Sequence, residues 1–324
     1  MSVTFAGSPD RAEARLVPEA GYELDTFRIA GLARRPGPAL VHALLLAVRA
    51  PLACNRILRR RSPHVVLGAG GYVAGPMVVA AWRRRIPAAL TEADARLGLA
   101  NRLAAPFARR VFLAYDIPGR QGPKYRVVGR PIPRRSLPMP RAEARKRFGL
   151  PPDGPVLGVF GALAGARSLN ELAVEAFGAE GPAVLHLAGE RDFEALRSRV
   201  SRPDYVLLPS TDEFGAALGA VDLALSRAGG TVWELAAAGV PAVLVPYPHA
   251  TGDHQWLNAQ HFIEAGGAVA VRDQSRGQSP GHVQKLLDDP GRLASMREAM
   301  LAAARPDAAE RIAEGLIELA SARR

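Results

Sequence analysis

The chain has 324 residues, 48% apolar and 23% charged, the balance of a folded globular protein long enough for two domains of ordinary size. A single cysteine, Cys54, excludes an intrachain disulfide and any site built from several cysteines, as suits a reducing compartment. The net charge of +11 is carried almost wholly by arginine. A basic balance can mean nucleic acid, anionic lipid or an anionic substrate, and with no zinc-knuckle, aromatic RNA-binding or helix-turn-helix pattern nucleic acid ranks last. The first residues lack the basic segment and apolar stretch of a signal peptide, and no run nears the ~18–20 apolar residues of a membrane-spanning helix.

In chain order, short apolar runs of β character fall at 3–6, 22–29, 64–68, 88–91, 111–114 and 125–128. A second series falls at 156–160, 183–187, 205–208, 221–225, 242–245 and 268–271. Amphipathic stretches such as 39–58, 74–84, 170–177 and 231–238 lie between them, with Pro51 expected to interrupt the first. The alternation predicts an α/β fold with parallel sheets covered by helices on both faces. So many strands exceed one ordinary open sheet, and two sheets are expected.

Between the two series lies a proline-dense segment, from Gly129-Arg130-Pro131-Ile132-Pro133 to Leu137-Pro138-Met139-Pro140, which cannot be helix interior. It divides the chain into domains at 1–133 and 134–324, and the last helix, 307–322 after Pro306, is expected to cross back to the first domain. Each half has a glycine turn after a strand, at 68–72 and 161–166. Ligands of such sheets bind at the carboxyl ends of strands, so two Rossmann-like domains facing across a cleft would hold a substrate between them.

The densest chemistry lies between Ser226 and Asn258, SRAGGTVWELAAAGVPAVLVPYPHATGDHQWLN. A strand ends at Ser226, the chain turns through Gly229-Gly230, and Thr231 opens a helix that stops at Gly239. Unpaired N–H groups and the positive end of the helix dipole make that start an anion site. Glu234, one turn in, is placed to accept from ribose hydroxyls. Alone, the glycine pair reads as a turn cap and Glu234 as a partner of the dipole, because lone glycine patterns are weak. The next loop adds Asp253, His254, Gln255 and Asn258, side chains suited to sugar hydroxyls, and together they describe a nucleotide-sugar pocket.

With these residues in view, the chain resembles the MurG-type peptidoglycan N-acetylglucosaminyltransferases, a family of two-domain GT-B architecture. The resemblance runs from about Phe5 to Val271, through Arg15 to Tyr22, Gly70 to Pro76 (GGYVAGP), Gly98 to Arg102, Val128 to Pro131, Gly165 to Asn170 and the 226–258 segment, which is the most specific. It implies an inverting transferase that moves N-acetylglucosamine from UDP-N-acetylglucosamine to undecaprenyl-diphospho-N-acetylmuramoyl-pentapeptide (lipid I to lipid II). That reaction serves peptidoglycan synthesis, and through it cell-wall growth, cell shape and division. The resemblance also implies peripheral attachment at the cytoplasmic face of the cell membrane, with cell-wall synthesis proteins as further partners.

By position in the family's motifs, Gly229, Gly230 and Thr231 would meet the diphosphate and Glu234 the ribose. Gln255, with His254 and Asn258, would meet the sugar hydroxyls, the backbone at 211–214 beginning with Thr211 the uracil edge, and Gly165 would line the same donor site. Gly70, Gly71, Tyr72 and Asn101 would belong to the acceptor site. No Asp-X-Asp motif is present, so transfer without a metal or other cofactor is expected.

Several departures fall on the acceptor and base side. The family's first strand and GGTGGH-type loop, with its histidine, would precede Met1; the sequence therefore implies a later start or a lost strand, and an uncovered sheet edge. The family's His-Glu-Gln-Asn stands here as Thr91-Glu92-Ala93-Asp94, its Gly-Gly-Ser as Gly161-Ala162-Leu163, and its arginine after Asn-Pro-Val as Pro133, with Arg130 and Arg134 close by. The base is open among Asp94, Glu92, His254 and His249, although the histidines suit a sugar or phosphate contact better than base duty.

For a membrane contact, the stretch from Pro38 to Arg61 joins leucines to the Arg59–Arg61 cluster, which suits an anionic interface or a core helix with a solvated basic end. Two rival readings remain. One is another GT-B enzyme, a glycolipid glycosyltransferase or a UDP-N-acetylglucosamine epimerase. The other is a non-catalytic paralogue that binds nucleotide-sugar or lipid.

Overall fold

The computed structural model describes residues 2–29, 37–161 and 165–322, the side chains of 38–48 excepted. Two compact units divide the chain: Met1–Ala93 with Leu97–Val128 and Glu310–Arg324, and Asp94–Arg96 with Gly129–Ala309.

In the first unit, β1 (Phe5–Gly7), α1 (Glu13–Glu19) and β2 (Leu24–Thr26) make a parallel strand pair with its connecting helix. Then follow α2 (Pro38–Arg61), β3 (Val66–Gly68), α3 (Gly71–Arg83), β4 (Ala88–Glu92), α4 (Leu99–Ala104), β5 (Arg110–Leu113) and β6 (Tyr125–Val127). The strands β3-β4-β5-β6 form a second parallel sheet in that order. The sequence predicts one sheet here, whereas among the described residues β1 and β2 pair only with each other and β3 is an edge strand. Leu67 of β3 is 38% exposed, although a parallel strand flanked on both sides would bury it.

Nor does Pro51 interrupt α2, which runs unbroken through it. One backbone hydrogen bond is lost there, but Ala50, Cys54 and Leu58 are buried in the core beside α3 and hold the two halves of the helix in line. Burial also pushes the Cys54 thiol up to about 12, so it is a packing residue and not a reactive one. At the end of α2, Arg61 donates to the buried Asp25 of β2 at 2.9 Å, and Arg60 pairs with the same carboxylate. Their guanidinium groups hold Asp25 below the usual carboxylate range against the cost of its burial. Two of the three arginines in the basic cluster thus fasten β2 to α2.

The second unit begins with the proline-rich segment, which contains one 3-10 turn over Arg134–Ser136. It continues through α5 (Arg141–Arg147), β7 (Val156–Phe160), α6 (Arg167–Phe177), β8 (Ala183–Leu187), α7 (Glu190–Arg197), β9 (Tyr205–Leu208) and α8 (Phe214–Ala220). After these come β10 (Leu223–Ser226), α9 (Thr231–Ala238), β11 (Ala242–Leu244), α10 (His254–Glu264), β12 (Ala268–Ala270), α11 (Ser279–Leu287) and α12 (Pro290–Ala303). All six strands are parallel, in the order β12-β11-β10-β7-β8-β9. That is the doubly wound dinucleotide-binding order, and its direction reverses between β7 and β10.

The last helix, α13 (Ala308–Ser321), packs against the sheet of the first unit. Ile312 and Leu319 join Ala89, Phe112 and Val128 in one buried cluster, and Arg110 donates to Glu318 at 2.6 Å. Gly315 leaves room for the Phe112 ring, which a Cβ there would strike at 2.6 Å.

Candidate functional site

In a doubly wound sheet the ligand crevice opens where neighbouring strands send their connections to opposite faces, here beyond the ends of β7 and β10. Ser226, the last residue of β10, donates its hydroxyl to the Phe160 carbonyl of β7 at 2.9 Å and joins the two strand ends. The next residue, Arg227, is buried and fans out to the Val245 carbonyl (2.8 Å), the Ser168 hydroxyl (2.7 Å) and the Asp273 carboxylate (2.7 Å). One guanidinium therefore ties the end of β11 and the start of α6 to the turn that leads into α9.

That turn carries unsatisfied donors. None of the N–H groups of Gly229, Gly230 and Thr231 meets an acceptor among the described residues. The N–H groups of Val232 and Trp233 reach back to the Gly229 and Gly230 carbonyls, at 3.3 and 3.1 Å. The guanidinium of Arg130 lies against Gly230, where a Cβ would displace it. No carboxylate pairs with Arg130 among the described residues. A cation at the positive end of a helix is unfavourable on its own, so the arrangement gains from an anion that takes both the N–H groups and the guanidinium. One turn on, Glu234 is half-buried and its Oε1 accepts from the Ser136 hydroxyl at 2.6 Å.

Gln255 lies beside this start: its Oε1 accepts from the Tyr247 N–H at 2.8 Å, and its Nε2 is 3.8 Å from where a Gly229 Cβ would stand. His254 has Nδ1 at 3.1 Å from the Thr251 carbonyl, which only accepts. Nδ1 therefore carries the proton in the neutral ring, and Nε2 is left as an acceptor. Asn258 is turned inward. It is buried, its amide donates to the Ala228 carbonyl and to Asp94 (both 3.1 Å), and its oxygen accepts from the Ala95 N–H at 2.7 Å. Its hydrogen bonds hold the 94–95 backbone against the α9 turn.

On the other flank of the crevice, Gly165 has φ +74° and packs so closely on the Ala188 carbonyl that a Cβ would clash with it. The same carbonyl accepts from Asn170 at 2.7 Å. Behind it runs a buried chain in which the Tyr205 hydroxyl meets His186 Nδ1 (2.9 Å), His186 Nε2 meets Asn170 Oδ1 (3.1 Å), and the Asn170 amide meets Asp192 (3.0 Å). Burial pushes the His186 pKa down to about 3, so the ring is neutral and donates from Nε2. Thr211 is half-buried and its hydroxyl accepts from the Glu213 N–H at 3.1 Å, closing the turn before α8. Ala162 and Leu163, where the sequence departs from a Gly-Gly-Ser pattern, lie outside the described residues.

The residues expected on the acceptor side gather in the first unit. Gly70 and Gly71 have φ of +90° and +69° and open α3, with Tyr72 54% exposed beside them. A Cβ on Gly70 would stand 4.0 Å from the Asn101 amide nitrogen. Asn101 is buried and donates to the Thr91 carbonyl (2.9 Å) and to Glu92 (3.0 Å). The Glu92 carboxylate also accepts from the N–H groups of Ala93 (3.0 Å) and Gly98 (2.8 Å), so it clamps the loop between β4 and α4.

Arg227, Ser136 and the His186 chain were not legible as site components from the sequence. A buried arginine or histidine has no local pattern, and the Ser136 contact spans 98 residues.

Among the described residues, a bare helix start, a guanidinium without a carboxylate partner and a braced carboxylate meet at the switch point of a dinucleotide-type sheet, an arrangement that suits a nucleotide ligand. Comparison with known proteins makes the class specific: the chain belongs to glycosyltransferase family 28, whose C-terminal domain matches residues 156–312 and whose N-terminal domain matches 1–113. It is 40% identical over 332 residues to the UDP-N-acetylglucosamine–N-acetylmuramyl-(pentapeptide) pyrophosphoryl-undecaprenol N-acetylglucosamine transferase of Acidithiobacillus ferrooxidans, covering 99% of this chain and 90% of that one. The transferase of the same name from Acidothermus cellulolyticus is 41% identical over 340 residues, covering 100% and 91%. Among solved structures, Acinetobacter baumannii MurG matches with a TM-score of 0.79 at 25% identity, over 98% of this chain and 91% of that one. The α/β class and GT-B architecture expected from the sequence are borne out.

Proposed function

We propose that the protein transfers N-acetylglucosamine from UDP-N-acetylglucosamine to undecaprenyl-diphospho-N-acetylmuramoyl-pentapeptide, with inversion at the anomeric carbon. The observation that carries this reading is the convergence at the start of α9 of the Arg130 guanidinium and three N–H groups that meet no acceptor among the described residues, with Glu234 one turn along. The N–H groups and Arg130 hold the diphosphate, Glu234 a ribose hydroxyl, and Gln255 with His254 the sugar. Thr211 and Gly165 border the uridine end, while Asn258 acts through the backbone it holds. Gly70, Gly71, Tyr72 and Asn101 form the acceptor side.

In the transfer a base removes the proton of the acceptor hydroxyl, and that oxygen forms a bond to the anomeric carbon. The bond from that carbon to the diphosphate oxygen breaks, and UDP departs with its extra negative charge. The helix start and Arg130 are aimed at that charge from a preformed position, which is where electrostatic catalysis is largest. Since the Glu92 carboxylate is taken up by three loop donors, Asp94 and His254 are the groups to test as base.

No helix among the described residues is long and apolar enough to cross a membrane. The first unit nevertheless exposes Leu99 and Leu103 on one face of α4, at 50% and 60%, with Trp82 at 54% beside the Arg83–Arg85 run. Such a pairing of apolar and basic surface supports peripheral attachment to an anionic cytoplasmic leaflet. The test is incubation with labelled UDP-N-acetylglucosamine, with and without the lipid acceptor. Labelled disaccharide lipid and released UDP are expected only with the acceptor present, and donor turnover without it would point to an epimerase instead.

A further inference from the structure

Glu234 is held by a hydroxyl from a distant part of the chain. Ser136 Oγ lies 2.6 Å from Oε1, the ordinary distance for a hydroxyl donating to a carboxylate, and Ser136 is 2% exposed. No donor meets Oε2 among the described residues. One carboxylate oxygen is fixed by the protein and the other is offered to a ligand.

The sequence around Ser136 makes its position rigid. Pro133, Pro138 and Pro140 fix their own φ angles, and the turn between them is closed by Ser136 N–H to the Pro133 carbonyl (2.9 Å) and Leu137 N–H to the Arg134 carbonyl (3.1 Å). The turn sits directly on α8. A Cβ on Gly215 would clash with the Leu137 carbonyl, one on Gly219 with the Met139 carbonyl, and Met139 N–H donates to the Gly215 carbonyl at 3.2 Å. Two glycines four residues apart thus form a flat bed for the segment, and α8 in turn packs on α9, which carries Glu234. A glutamate with free rotation would have to be ordered by each incoming nucleotide; here that ordering is already done.

We infer that Ser136 is a positioning residue for donor recognition: by holding Oε1 it presents Oε2 to the ribose, and so sets the preference for a ribonucleotide over its 2′-deoxy counterpart. This rests on the assignment of Glu234 to the ribose made above. A hydrogen-bonding site rejects a ligand that lacks the matching hydroxyl, and it does so best when the partner group cannot swing away.

The experiment is calorimetric titration of the full chain with UDP and with 2′-deoxy-UDP. Wild type, Ser136→Ala, Ser136→Thr, Glu234→Ala and the Ser136→Ala/Glu234→Ala double variant are compared at matched thermal midpoints. Wild type is expected to prefer UDP by roughly tenfold or more, and Ser136→Ala to lose most of that ratio through weaker UDP binding. Ser136→Thr, which keeps the hydroxyl, restores it. Because Ser136 acts through Glu234, its removal adds nothing in the Glu234→Ala background. Retention of the full ratio by Ser136→Ala, with its loss in Glu234→Ala, overturns the inference alone, as does additivity in the double variant. A full ratio in Glu234→Ala overturns the ribose assignment and this inference with it. Should Ser136→Ala not fold, Ser136→Cys, close in volume but a weak donor, takes its place.

Discussion

The Arg130 guanidinium rests on Gly230, at the positive end of α9, and among the described residues no carboxylate balances it. Both features repel each other until an anion arrives, so the interaction is realised mainly in the complex. Arg130→Ala is expected to raise the apparent Kd for UDP by roughly tenfold, the scale of one charge-assisted hydrogen bond, and to leave the thermal midpoint unchanged or slightly higher. Arg130→Lys should recover part of the loss, since an ammonium matches the charge but not the fork. Gly230→Ala gives an independent check: its methyl group pushes the guanidinium aside and should weaken UDP in the same way. Titrations of the three variants that match wild type would show that Arg130 does not touch the diphosphate.

Stability of the second unit depends on another arginine. Arg145 of α5 is 1% exposed and donates to the carbonyls of Ala220 (3.1 Å), Pro151 (3.3 Å) and Pro152 (2.8 Å) and to Asp222 (2.7 Å). Asp222 in turn accepts from the Val156 N–H at 2.8 Å, at the first residue of β7. Burial opposes the charge on Arg145 and Asp222 compensates it. Arg145→Ala removes the donor shared by three carbonyls and leaves Asp222 to Arg141 and the Val156 N–H, and a loss of about 2–4 kcal/mol is expected in denaturant unfolding. Arg145→Lys should recover little, because an ammonium cannot span these acceptors. A loss within about 0.5 kcal/mol would show that water replaces the guanidinium without cost.

Neutral His186 makes stability depend on acidity. In the folded protein burial holds its pKa at about 3, while in the unfolded chain it titrates near 6.5. Above that value neither state carries the proton, and the ring's contribution is at its full value. As the pH falls from about 6.5 toward 3, the unfolded state binds a proton that the folded state refuses, and stability drops by up to about 1.4 kcal/mol per pH unit. Unfolding of wild type and His186→Gln, compared between pH 7 and about 5, where few carboxylates titrate, isolates this group. The wild-type curve should slope more steeply by one proton; parallel curves would mean that the folded ring ionises normally.

Much of this architecture can be read from local pattern. The runs at 156–160, 183–187 and 205–208 coincide with β7, β8 and β9, because parallel strands covered on both faces read as unbroken apolar runs. The start and end of α9 also match, since Gly229-Gly230 and Gly239 are local signals. What the sequence concealed was non-local. Nothing in 3–6 or 22–29 says that β1 and β2 pair only with each other, and nothing near Pro51 says that buried neighbours carry α2 through it. Asn258 is a further case: sugar contact and buried backbone support require the same amide, and only the Ala228, Asp94 and Ala95 partners tell them apart.

Glu92 poses that ambiguity in testable form, as it stood among the possible bases. Its three donors, the N–H groups of Ala93 and Gly98 and the Asn101 amide, fix the loop that leads into α4. A carboxylate engaged in this way serves as a strut. In Glu92→Gln one oxygen becomes an amide that faces N–H donors, so at least one of these bonds is lost and the loop loosens. The expected outcome is a kcat lower by roughly tenfold, on the scale of one lost charge-assisted bond, and a raised KM for the lipid acceptor. The acid limb of the pH–rate profile should keep its midpoint, because the titrating base is still present. Asp94→Asn and His254→Gln are the companion variants, and the one that carries the base should abolish that limb. Disappearance of the limb in Glu92→Gln alone would make Glu92 the base and overturn its assignment as a clamp.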